Sequence, residues 1–466
     1  MPRSDERAKV DPLRPKYHFI APSGWMNDPN GLILFRGEYH VFYQHNPNGA
    51  FAGTRHWGHA VSKDLIRWRH LPTALSPGNG GYDKDGCWSG SAVDNDGVPV
   101  ILYTGVMPEV QCVALGSQDM VYWEKYAGNP VISSHPEGLD LKGFRDPCVW
   151  KEDGRWYMLL GSGIEGKGGT ALLYESNDLL RWRYLHPICF GRIDRTGEVW
   201  ECPDFFPLED KHVLIISALK KTLYYTGKYR DKKFHPEMLG TVDLGDHFYA
   251  AKSMIDEKGR RILFGWVREA RSGPVQLASG WSGLFSLPRQ LALDKEGILN
   301  VTPLPELKSL RGDSFEDEGV KIDADSCKVL EDVEGDCLEI EADLDLGDAR
   351  ELGLIVRCSP RLEEATFISY NRRSARLYLD SSKSSLNPEC EGGREGGALK
   401  VDSGEHIKLS LFLDRSAIEV FANGRICLTG RAYPSRGDSK RIGIFSRGGS
   451  AKLASIKIWK MKPIWD

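Results

Sequence analysis

The chain has 466 residues, of which 41% are hydrophobic and 27% are charged, a composition typical of a globular protein with two or three domains. Its formal net charge of -4 is too small to indicate a nucleic-acid or anionic-membrane partner. No apolar run approaches the roughly 18 residues of a membrane span, so we expect neither nucleic acid nor a membrane among its partners.

The chain begins with a charged, proline-containing segment, Met1 to Lys16, that lacks the apolar stretch of a secretory signal. We therefore expect a cytoplasmic protein, or a secreted one if a signal peptide has been removed from this sequence. The ten cysteines form no Cys-x-x-Cys pair and no zinc-finger spacing, which favours free thiols in a reducing compartment. His56 and His59 have no further metal ligands beside them, so we predict no metal site.

Apolar hairpins recur along the first two thirds of the chain. They lie at Leu32–Tyr43, Ala92–Tyr103, Cys148–Leu160, Phe205–Ile216 and Ser253–Trp266. Turn signals such as Asp96-Gly97 and Asp153-Gly154 divide most of them, and helical periodicity is weak throughout. Because each unit holds several strands and is longer than a solenoid coil, the sequence predicts an all-β protein that begins with a five-bladed β-propeller over residues 1–301.

A second repeat has the pattern Ser-x-Asp-apolar-apolar-x-Trp. It occurs at residues 62–68, 117–123 and 176–182. Serine and aspartate side chains commonly hydrogen-bond to the backbone of their own turn. We therefore interpret this repeat as a structural turn that marks the fold rather than the chemistry.

The pattern changes after Pro288-Arg289, where a different architecture is expected. Residues 302–313 are predicted to form a linker with one short helical turn. Alternating apolar residues from Ser314 onward predict a C-terminal β-sandwich over residues 314–466. Within it, Asp414-Arg415-Ser416 and Asn423-Gly424 are hairpin turn signals.

One stretch of the predicted sandwich has a composition that does not favour strands. Residues Ser381 to Gly397 are rich in serine, glycine and glutamate. Such residues cannot form a packed core by themselves. We therefore predict a mobile loop in this part of the chain.

Three carboxylates occupy matching places in the repeated unit. Asp28, Asp146 and Glu201 each lie just ahead of an apolar hairpin, and each is followed within two residues by proline, which favours extended geometry in the residue before it. Equivalent strands of a propeller surround one axis, so these side chains are expected to meet at one end of the central channel. Asp85 to Ser91 and Asp246 to Lys252 hold the same place in the second and fifth units.

Converging carboxylates indicate acid/base or nucleophilic chemistry, and a pair of them flanking a bond is the usual site of glycoside hydrolysis. Glu201 has apolar neighbours in Trp200 and Pro203, a setting expected to raise its pKa and to suit a general acid. Asp28 lies among asparagines that could keep it ionised. The Arg145 charge is expected to keep the adjacent carboxylate of Asp146 an anion.

Aromatic residues support a sugar site, because flat rings pack against the C–H faces of sugars. Trp25 and Trp88 lie in the motifs expected at the mouth of the channel, and we predict that they face substrate. Trp68, Trp123 and Trp182 belong to the turn repeat and are predicted to be core residues of the blades.

Three ordered motifs carry a family resemblance: Trp-Met-Asn-Asp-Pro-Asn-Gly at 25–31, Arg-Asp-Pro at 145–147 and Trp-Glu-Cys-Pro-Asp-Phe at 200–205. They resemble those of glycoside hydrolase family 32, which comprises β-fructofuranosidases (invertases), inulinases, levanases and fructan exohydrolases. Residues 39–47 and 57–65 resemble further segments of the family, and the resemblance extends over essentially the whole chain. It implies a five-bladed propeller followed by a β-sandwich.

The resemblance also implies roles for individual residues. It makes Asp28 the nucleophile of a retaining double displacement, Glu201 the acid/base and Asp146 the stabiliser of the transition state. It implies that terminal fructose is held by Asn27, Gln44, Trp88, Ser89 and Arg145, and, as weaker expectations, by Trp25, Tyr249 and Lys252. It implies no cofactor and no metal, a small carbohydrate substrate such as sucrose or a fructo-oligosaccharide, and a monomer or homodimer.

One departure from the family pattern bears on specificity. Ala52 stands where the family usually has a tryptophan that walls the pocket near the scissile bond. The change is expected to widen the site or to alter acceptor preference, with Phe51 as a candidate substitute. The sequence therefore leaves three readings open beside an exo-acting β-fructosidase: a fructosyltransferase, a fructan-specific inulin or levan hydrolase, and a catalytically silent fructan-binding protein.

Overall fold

The computed structural model describes residues 4–465 and is built almost entirely of β-strands. Residues 1–3, which belong to the charged N-terminal segment, lie outside the described residues, as does residue 466. The described chain has helices α1 (Ser4–Val10), α2 (Ile193–Thr196) and α3 (Gly273–Ser279), and a 3-10 helix at Pro305–Leu310. None of the described helices is long and apolar enough to cross a membrane.

Five sheets form the N-terminal part and are the blades of a propeller. Each has four antiparallel strands, and the first and the fifth each carry one additional short strand. The first three blades are β1 (Gly24–Phe35), β2 (Glu38–Asn46), β3 (His56–Ser62) and β4 (Trp68–Leu75); β5 (Gly86–Asn95), β6 (Val98–Val106), β7 (Val110–Gly116) and β8 (Trp123–Lys125); and β9 (Leu141–Glu152), β10 (Arg155–Ile164), β11 (Gly168–Ser176) and β12 (Trp182–Phe190). The fourth blade is β13 (Glu201–Leu208), β14 (Lys211–Ala218), β15 (Lys221–Arg230) and β16 (Lys233–Thr241).

The fifth blade also closes the ring. It contains β17 (Phe248–Ile255), β18 (Arg261–Val267), the two-residue strand β20 (Leu284–Phe285), β21 (Arg289–Leu293) and β22 (Leu299–Pro303). A further two-residue strand, β19 (Trp281–Ser282), precedes β20 in the chain. Strand β19 pairs in parallel with β1 of the first blade, which joins the last blade to the first. The first strands of the blades, β1, β5, β9, β13 and β17, contact one another in turn around the central channel. Each predicted hairpin is the pairing of a blade's first two strands.

The turn repeat joins the third and fourth strands of the first three blades. In the first of these turns, Asp64 Oδ1 accepts hydrogen bonds from the backbone N–H groups of Ile66 and Arg67, at 2.9 and 2.7 Å. The indole N–H of Trp68 then donates to the carbonyl oxygen of Leu65. The tryptophans of the other two copies make the same bond within their turns. The structure therefore confirms a structural role for this repeat.

The C-terminal part is a sandwich of two six-stranded sheets. Its strands are β23 (Arg311–Ile322), β24 (Cys327–Glu334), β25 (Cys337–Asp345), β26 (Glu351–Cys358), β27 (Ala365–Asn371), β28 (Arg376–Lys383), β29 (Arg394–Ala398), β30 (Ile407–Asp414), β31 (Ala417–Ala422), β32 (Ile426–Arg431), β33 (Arg441–Arg447) and β34 (Ala451–Met461). One sheet has the order β23-β34-β25-β30-β31-β32 and the other the order β24-β33-β26-β27-β28-β29. Both predicted hairpin turns are present, between β30 and β31 and between β31 and β32.

Two segments differ from their sequence-based description. The stretch 302–313 contains the end of β22, the 3-10 helix and the start of β23, so strands extend into the predicted linker. The stretch 381–397, predicted as a mobile loop, contains parts of β28 and β29. Between them the backbone docks on the propeller, where the Ser272 N–H donates to the Glu389 carbonyl oxygen and the Glu391 N–H donates to that of Ala270. These backbone contacts, which composition does not reveal, hold the segment.

Buried charges join the propeller to the sandwich. The Arg289 guanidinium is fully buried and donates to the carboxylates of Asp243 and Glu419, both at 2.7 Å. His18 lies between Asp414, at 2.8 Å, and Glu419, at 3.3 Å. Burial alone would lower the pKa of His18, but its bonds to the two carboxylates raise it overall. Because unpaired buried charges are costly, this network fixes the relative position of the two parts.

Candidate active site

A β-bulge interrupts the first strand of every blade at the same level. The regular pairing of these strands breaks between residues 26 and 29, 87 and 90, 145 and 148, 201 and 204, and 249 and 252. Bulges bend a strand and redirect its side chains. Three bulge residues, Asp146, Cys202 and Ala250, have left-handed backbone torsions, with φ of 62°, 48° and 51°. The aligned bulges explain why side chains far apart in sequence turn into one end of the channel.

A pocket of about 210 Å³ opens at this level of the channel. It is lined by Asn27, Asp28, Gln44, Arg55, Trp88, Ser89, Arg145, Asp146, Glu201, Cys202, Tyr249 and Trp266. The structure thus brings together the three predicted catalytic carboxylates and six of the predicted substrate-binding residues, namely Asn27, Gln44, Trp88, Ser89, Arg145 and Tyr249.

Asp28 accepts hydrogen bonds from both sides of the pocket floor. The Ser89 hydroxyl donates to Oδ2 at 2.6 Å and the Asn27 amide donates to Oδ1 at 2.9 Å. The Cys202 thiol, 3.4 Å from Oδ2, is a third donor. Burial nevertheless raises the pKa of Asp28, and the nearby negative charge of Glu201 adds to that rise. Asp28 is therefore a fixed and partly desolvated carboxyl group, which suits a nucleophile.

Asp146 is the most buried of the three carboxyl groups, with 5% of the residue exposed. Its Oδ2 accepts the backbone N–H of Cys202 at 2.8 Å, which ties β9 to β13. Burial raises the pKa of Asp146 to about 6, although the adjacent Arg145 charge opposes the rise. The Arg145 charge, which was expected to keep this carboxyl group an anion, favours its ionised form as expected. Burial outweighs that effect, since the guanidinium donates to Glu109 and Glu201 instead of to Asp146.

Glu201 is held by two donors rather than by apolar packing. The Tyr249 hydroxyl donates to Oε2 at 2.6 Å, and Arg145 Nη2 donates to Oε1 at 3.1 Å. The side chain is 38% exposed. The expected apolar setting is therefore wrong, since the ring of Trp200 is fully buried within its blade, where its indole N–H bonds to the backbone carbonyl of Thr196.

Glu109 holds the position of Arg145 and was not predicted from the sequence. Arg145 Nη1 donates to Glu109 Oε1 at 2.8 Å, and Glu109 Oε2 accepts the backbone N–H of Phe144 at 2.6 Å. Arg145 thus bridges two glutamates, and its guanidinium also lies 5.9 Å from the ring of Trp88. Glu109 lies in the connection between β6 and β7, outside every motif, so no sequence signal indicated it.

Two further lining residues are fixed through their neighbours. Gln44 is buried, and its amide donates to the Cys87 carbonyl oxygen at 3.0 Å. The Trp88 backbone carbonyl accepts the indole N–H of the fully buried Trp57, also at 3.0 Å. Hydrogen bonds between blades therefore hold the wall of the pocket in place.

Trp25 and Lys252 do not line the pocket. The indole N–H of Trp25 donates to Asn27 Oδ1 at 3.1 Å, so Trp25 supports the residue that bonds to Asp28. Lys252 is buried below the pocket, where its ammonium donates to the Pro203 carbonyl oxygen at 2.6 Å. It follows Tyr249 by three residues, and the bulge between them carries it to a deeper level of the channel.

Arg55, an isolated basic residue that the sequence offered as a candidate near the pocket, lines it. Cys202 and Trp266 also line the pocket but were not predicted to do so. The Arg55 guanidinium lies 5.9 Å from the ring of Trp25, and that ring lies 5.9 Å from the ring of Trp266. Burial lowers the pKa of Arg55. Cys202 belongs to the same motif as Glu201. Its position next to a candidate catalytic residue could have indicated that it lines the pocket.

The loop that carries Ala52 leaves one side of the mouth open. Ala52 is exposed, and Phe51 is 44% exposed. Neither residue lines the pocket. The Phe51 ring packs so closely on Gly49 that a Cβ atom there would lie only 2.5 Å from it. The ring therefore covers its own loop and not the pocket. Phe51 therefore does not replace the missing tryptophan.

The two histidines of the His-Trp-Gly-His segment have ordinary structural partners. His59 is fully buried and lies 3.0 Å from the ring nitrogen of His40. His56 lies 3.1 Å from the Ser76 hydroxyl. Within residues 4–465, no three histidine, cysteine or acidic side chains are grouped as a metal site would require.

Comparison with known proteins agrees with this geometry. The model of the glycosyl hydrolases family 32 N-terminal domain matches residues 18–303, and the model of the family's C-terminal domain matches residues 306–460. A levanase of Bacillus subtilis is 36% identical over 97% of this chain and 71% of its own length. A raffinose invertase of Escherichia coli is 34% identical over 96% of this chain and 95% of its own length.

A solved structure shows the same architecture over nearly the whole chain. Fructan 1-exohydrolase IIa from Cichorium intybus superposes with a TM-score of 0.89 at 30% identity, covering 97% of this chain and 98% of its own. The propeller, the sandwich and the carboxylate-lined pocket are thus accompanied by family matches to both parts of the sequence. This chain belongs to glycosyl hydrolase family 32 and is a glycoside hydrolase.

Proposed function

We propose that the chain is a retaining, exo-acting β-fructosidase that releases fructose from sucrose and short fructo-oligosaccharides. The observation that carries this proposal is the small pocket formed around three carboxyl groups, at about 210 Å³. Pockets for drug-sized ligands usually measure roughly 300–1,000 Å³, so this one suits a single sugar ring. A site that admits only one ring favours attack on the terminal residue of a chain.

The arrangement supports a double displacement through a covalent fructosyl-enzyme. Asp28 attacks the anomeric carbon while Glu201 donates a proton to the leaving oxygen, which breaks the glycosidic bond. Glu201 then takes a proton from water, the water oxygen attacks the same carbon, and Asp28 departs as a carboxylate. Asp146 accepts hydrogen bonds from fructose hydroxyls and stabilises the positive charge that develops on the ring in both transition states.

The contacts of the carboxyl groups fit these roles. Ser89 and Asn27 direct hydrogen bonds at Asp28 and stabilise its charged form. Tyr249 and Arg145 hold Glu201 at the mouth, where 38% exposure of its side chain leaves room for an incoming water. Two fixed carboxylates that line one pocket provide the attacking and the proton-transferring group of this mechanism.

The basic groups of the pocket favour an uncharged substrate. Arg145 is engaged by Glu109 and Glu201, and Arg55 bonds to the backbone of Gly53. The remaining lining residues of the pocket bring no lysine or arginine. A phosphorylated sugar would be expected to meet a cluster of free basic groups, and this pocket does not offer one.

Product analysis tests the proposal. Sucrose, an inulin-type oligomer and a levan-type oligomer are offered separately at high concentration, and products are followed by chromatography, with NMR recording the anomer of fructose released first. Free β-fructose together with the shortened sugar supports a retaining exo-hydrolase. Longer fructosides instead of free fructose would contradict hydrolysis and would assign the open side at Ala52 to a sugar acceptor.

The variant Glu201→Gln separates an enzyme from a binding protein. It keeps the shape of the side chain but removes the proton that the leaving group needs, so turnover of sucrose is expected to fall by about 10²–10⁴-fold. If the wild-type chain and the variant bind fructosides equally and neither converts them, the enzyme mechanism is excluded.

We also propose that the chain acts in the cytoplasm. All ten cysteines are unpaired in the structure, and six of them are buried. Free thiols persist in reducing compartments. Fractionation of cells that express the chain, with activity assayed in each fraction, tests this location; activity confined to the medium or the cell envelope would contradict it.

A further inference from the structure

A second cavity lies in the central channel below the active-site pocket. It has a volume of about 650 Å³ and is formed by the same first strands, farther along each of them. Its lining begins at Gly31, Asp204 and Lys252, three residues beyond Asp28, Glu201 and Tyr249, respectively. At about 3.3 Å per strand residue, this level lies roughly 10 Å below the catalytic one.

Most charges that line this cavity are already compensated. Asp256 accepts hydrogen bonds from both the backbone N–H and the guanidinium of Arg260, and Glu152 forms an ion pair with Lys232 at 3.0 Å. Asp204 accepts the Ser253 hydroxyl at 2.5 Å, and its charge is balanced by the buried ammonium of Lys252.

Arg261 is the exception among these charged groups. Its guanidinium lies over the ring of Phe206, 4.3 Å from the centroid. It makes no hydrogen bond and no ion pair with any residue from 4 to 465. Burial lowers the pKa of Arg261, and the nearby charge of Asp204 opposes that change without contacting the guanidinium. A guanidinium presents a planar fork of donors that matches an oxyanion.

Two further polar groups of the lining lack a partner. The partly buried indole of Trp150 packs against Phe205, with ring centroids 5.4 Å apart, and its N–H donates to none of the described residues. Glu152 Oε2 is buried and accepts no hydrogen bond, although its other oxygen bonds to Lys232. A buried polar atom such as Glu152 Oε2 is rarely left without a partner, and the partly buried side chains of Arg261 and Trp150 add unengaged donors. The cavity therefore supplies donors for an anion and an acceptor for a hydroxyl.

We propose that this cavity is a second binding site, for a small oxyanion that also carries hydroxyl groups, such as a sugar phosphate or a hydroxy acid. Arg261 binds the oxyanion, the Trp150 face and N–H hold the carbon skeleton, and Glu152 accepts a hydroxyl. The layer of Lys252, Asp204 and Cys148 separates this site from the active-site pocket, and the proposal is independent of the fructosidase function.

Titration calorimetry on the full chain tests the site with glucose 6-phosphate and gluconate as probes, and with glucose and inorganic phosphate as partial ligands. Saturable binding of at least one of the two complete probes is expected at concentrations up to about 10 mM. Arg261→Gln is expected to weaken that binding about tenfold by removing the fork of donors. Glucose, which lacks the charge, is expected to bind at least tenfold more weakly than glucose 6-phosphate.

The control Arg181→Gln is matched in charge, but that guanidinium is exposed and pairs with Asp178 in a turn of the third blade, away from the cavity. It is expected to leave affinity within about twofold of the wild-type value. Trp150→Phe keeps a ring and loses only the N–H donor, so a small loss of affinity is expected from it. This variant tests the site if circular dichroism shows that Arg261→Gln folds poorly.

The proposal is overturned by the absence of saturable binding, by equal affinities of wild type and both cavity variants, or by loss of binding in Arg145→Gln alone, which would place the ligand in the active-site pocket.

Discussion

The Tyr249 hydroxyl donates a 2.6 Å hydrogen bond to Glu201 Oε2 across two neighbouring first strands, β17 and β13. Each of these residues directly precedes the bulge of its strand. Because the other oxygen of Glu201 is held by Arg145, both oxygens of a partly exposed carboxylate have fixed partners. The orientation of the proposed acid/base therefore depends on polar contacts that single substitutions can remove.

Replacing Tyr249 with phenylalanine is expected to lower kcat for sucrose about tenfold. The change removes one charge-assisted hydrogen bond, typically worth about 1.5–3 kcal/mol, and leaves Glu201 free to leave its productive orientation. KM is expected to change less, because the ring still walls the pocket. Steady-state kinetics compares this variant with Tyr122→Phe, which alters a tyrosine that is 74% exposed and remote from the pocket. Equal kcat in both variants would contradict the orienting role.

The acid side of the pH profile is expected to report the two buried carboxyl groups. Burial raises the pKa of Asp28, and it raises that of Asp146 to about 6. Both must be ionised to act as nucleophile and stabiliser, so kcat/KM is expected to reach its maximum only at pH values above these raised pKa values. It falls as the pH drops through about 6. A profile that stays flat down to pH 4 would contradict the assignment.

Ser89→Ala is expected to move this acid limb to higher pH. The serine hydroxyl stabilises the charged form of Asp28 through a 2.6 Å hydrogen bond, and its loss raises the pKa of that carboxyl group further. A shift of roughly one pH unit is expected, measured from kcat/KM between pH 4 and 8. Ser117→Ala, in an exposed turn of the second blade, is the control and is expected to leave the limb in place.

The sequence predicted those parts of the molecule that repeat. Hairpins, blade number and the shared level of Asp28, Asp146 and Glu201 follow from periodic patterns, because equal positions in equal units occupy equal places around an axis. The structure brings the three carboxyl groups to one pocket, as expected. The local environments of these carboxyl groups could not be predicted from the adjacent residues in the sequence, since the Trp200 ring is buried in its own blade and not packed against Glu201.

The remaining errors have a common physical cause. Glu109 contacts Arg145 across 36 residues of sequence, and such contacts leave no local signal. Lys252 was predicted at the substrate because it is close to Tyr249 in sequence, but the bulge after Tyr249 carries it below the pocket. Pairing across blades and bulge geometry are properties of the folded chain, and single-sequence patterns do not contain them.

Lys252→Met is expected to destabilise the propeller. Burial opposes the charge of Lys252, but Cys148, Cys202 and Asp204 raise the pKa of its ammonium overall. The stabilising charge is therefore present at every pH below the pKa of an ordinary lysine. Removing it leaves only the charge of Arg261 to oppose the burial of the Asp204 carboxylate, at an expected cost of about 3 kcal/mol at neutral pH. Urea unfolding measures the loss.

The double variant Lys252→Met/Asp204→Asn tests whether charge pairing causes that loss. It removes both charges and is expected to recover at least about half of the lost free energy of unfolding. If the double variant is less stable than Lys252→Met alone, the ammonium acts through its hydrogen bond to Pro203 instead of through Asp204.

Glu419→Gln is expected to weaken the junction of propeller and sandwich. Glu419 accepts from both Arg289 and His18, and neutralising it leaves one carboxylate for each cation, at an expected cost of about 3 kcal/mol at neutral pH. Burial works against it, but Arg289 and His18 lower the pKa of Glu419 in the folded chain, so this stabilisation is present above the unfolded pKa of about 4.3 and is lost as the pH falls. The free energies of unfolding of wild type and variant are therefore expected to differ most near pH 7 and to converge below about pH 4.

Glu316→Gln, which breaks an exposed pair with Lys457, is the control in chemical denaturation. An equally small effect of both substitutions would show that the buried network does not hold the two parts together.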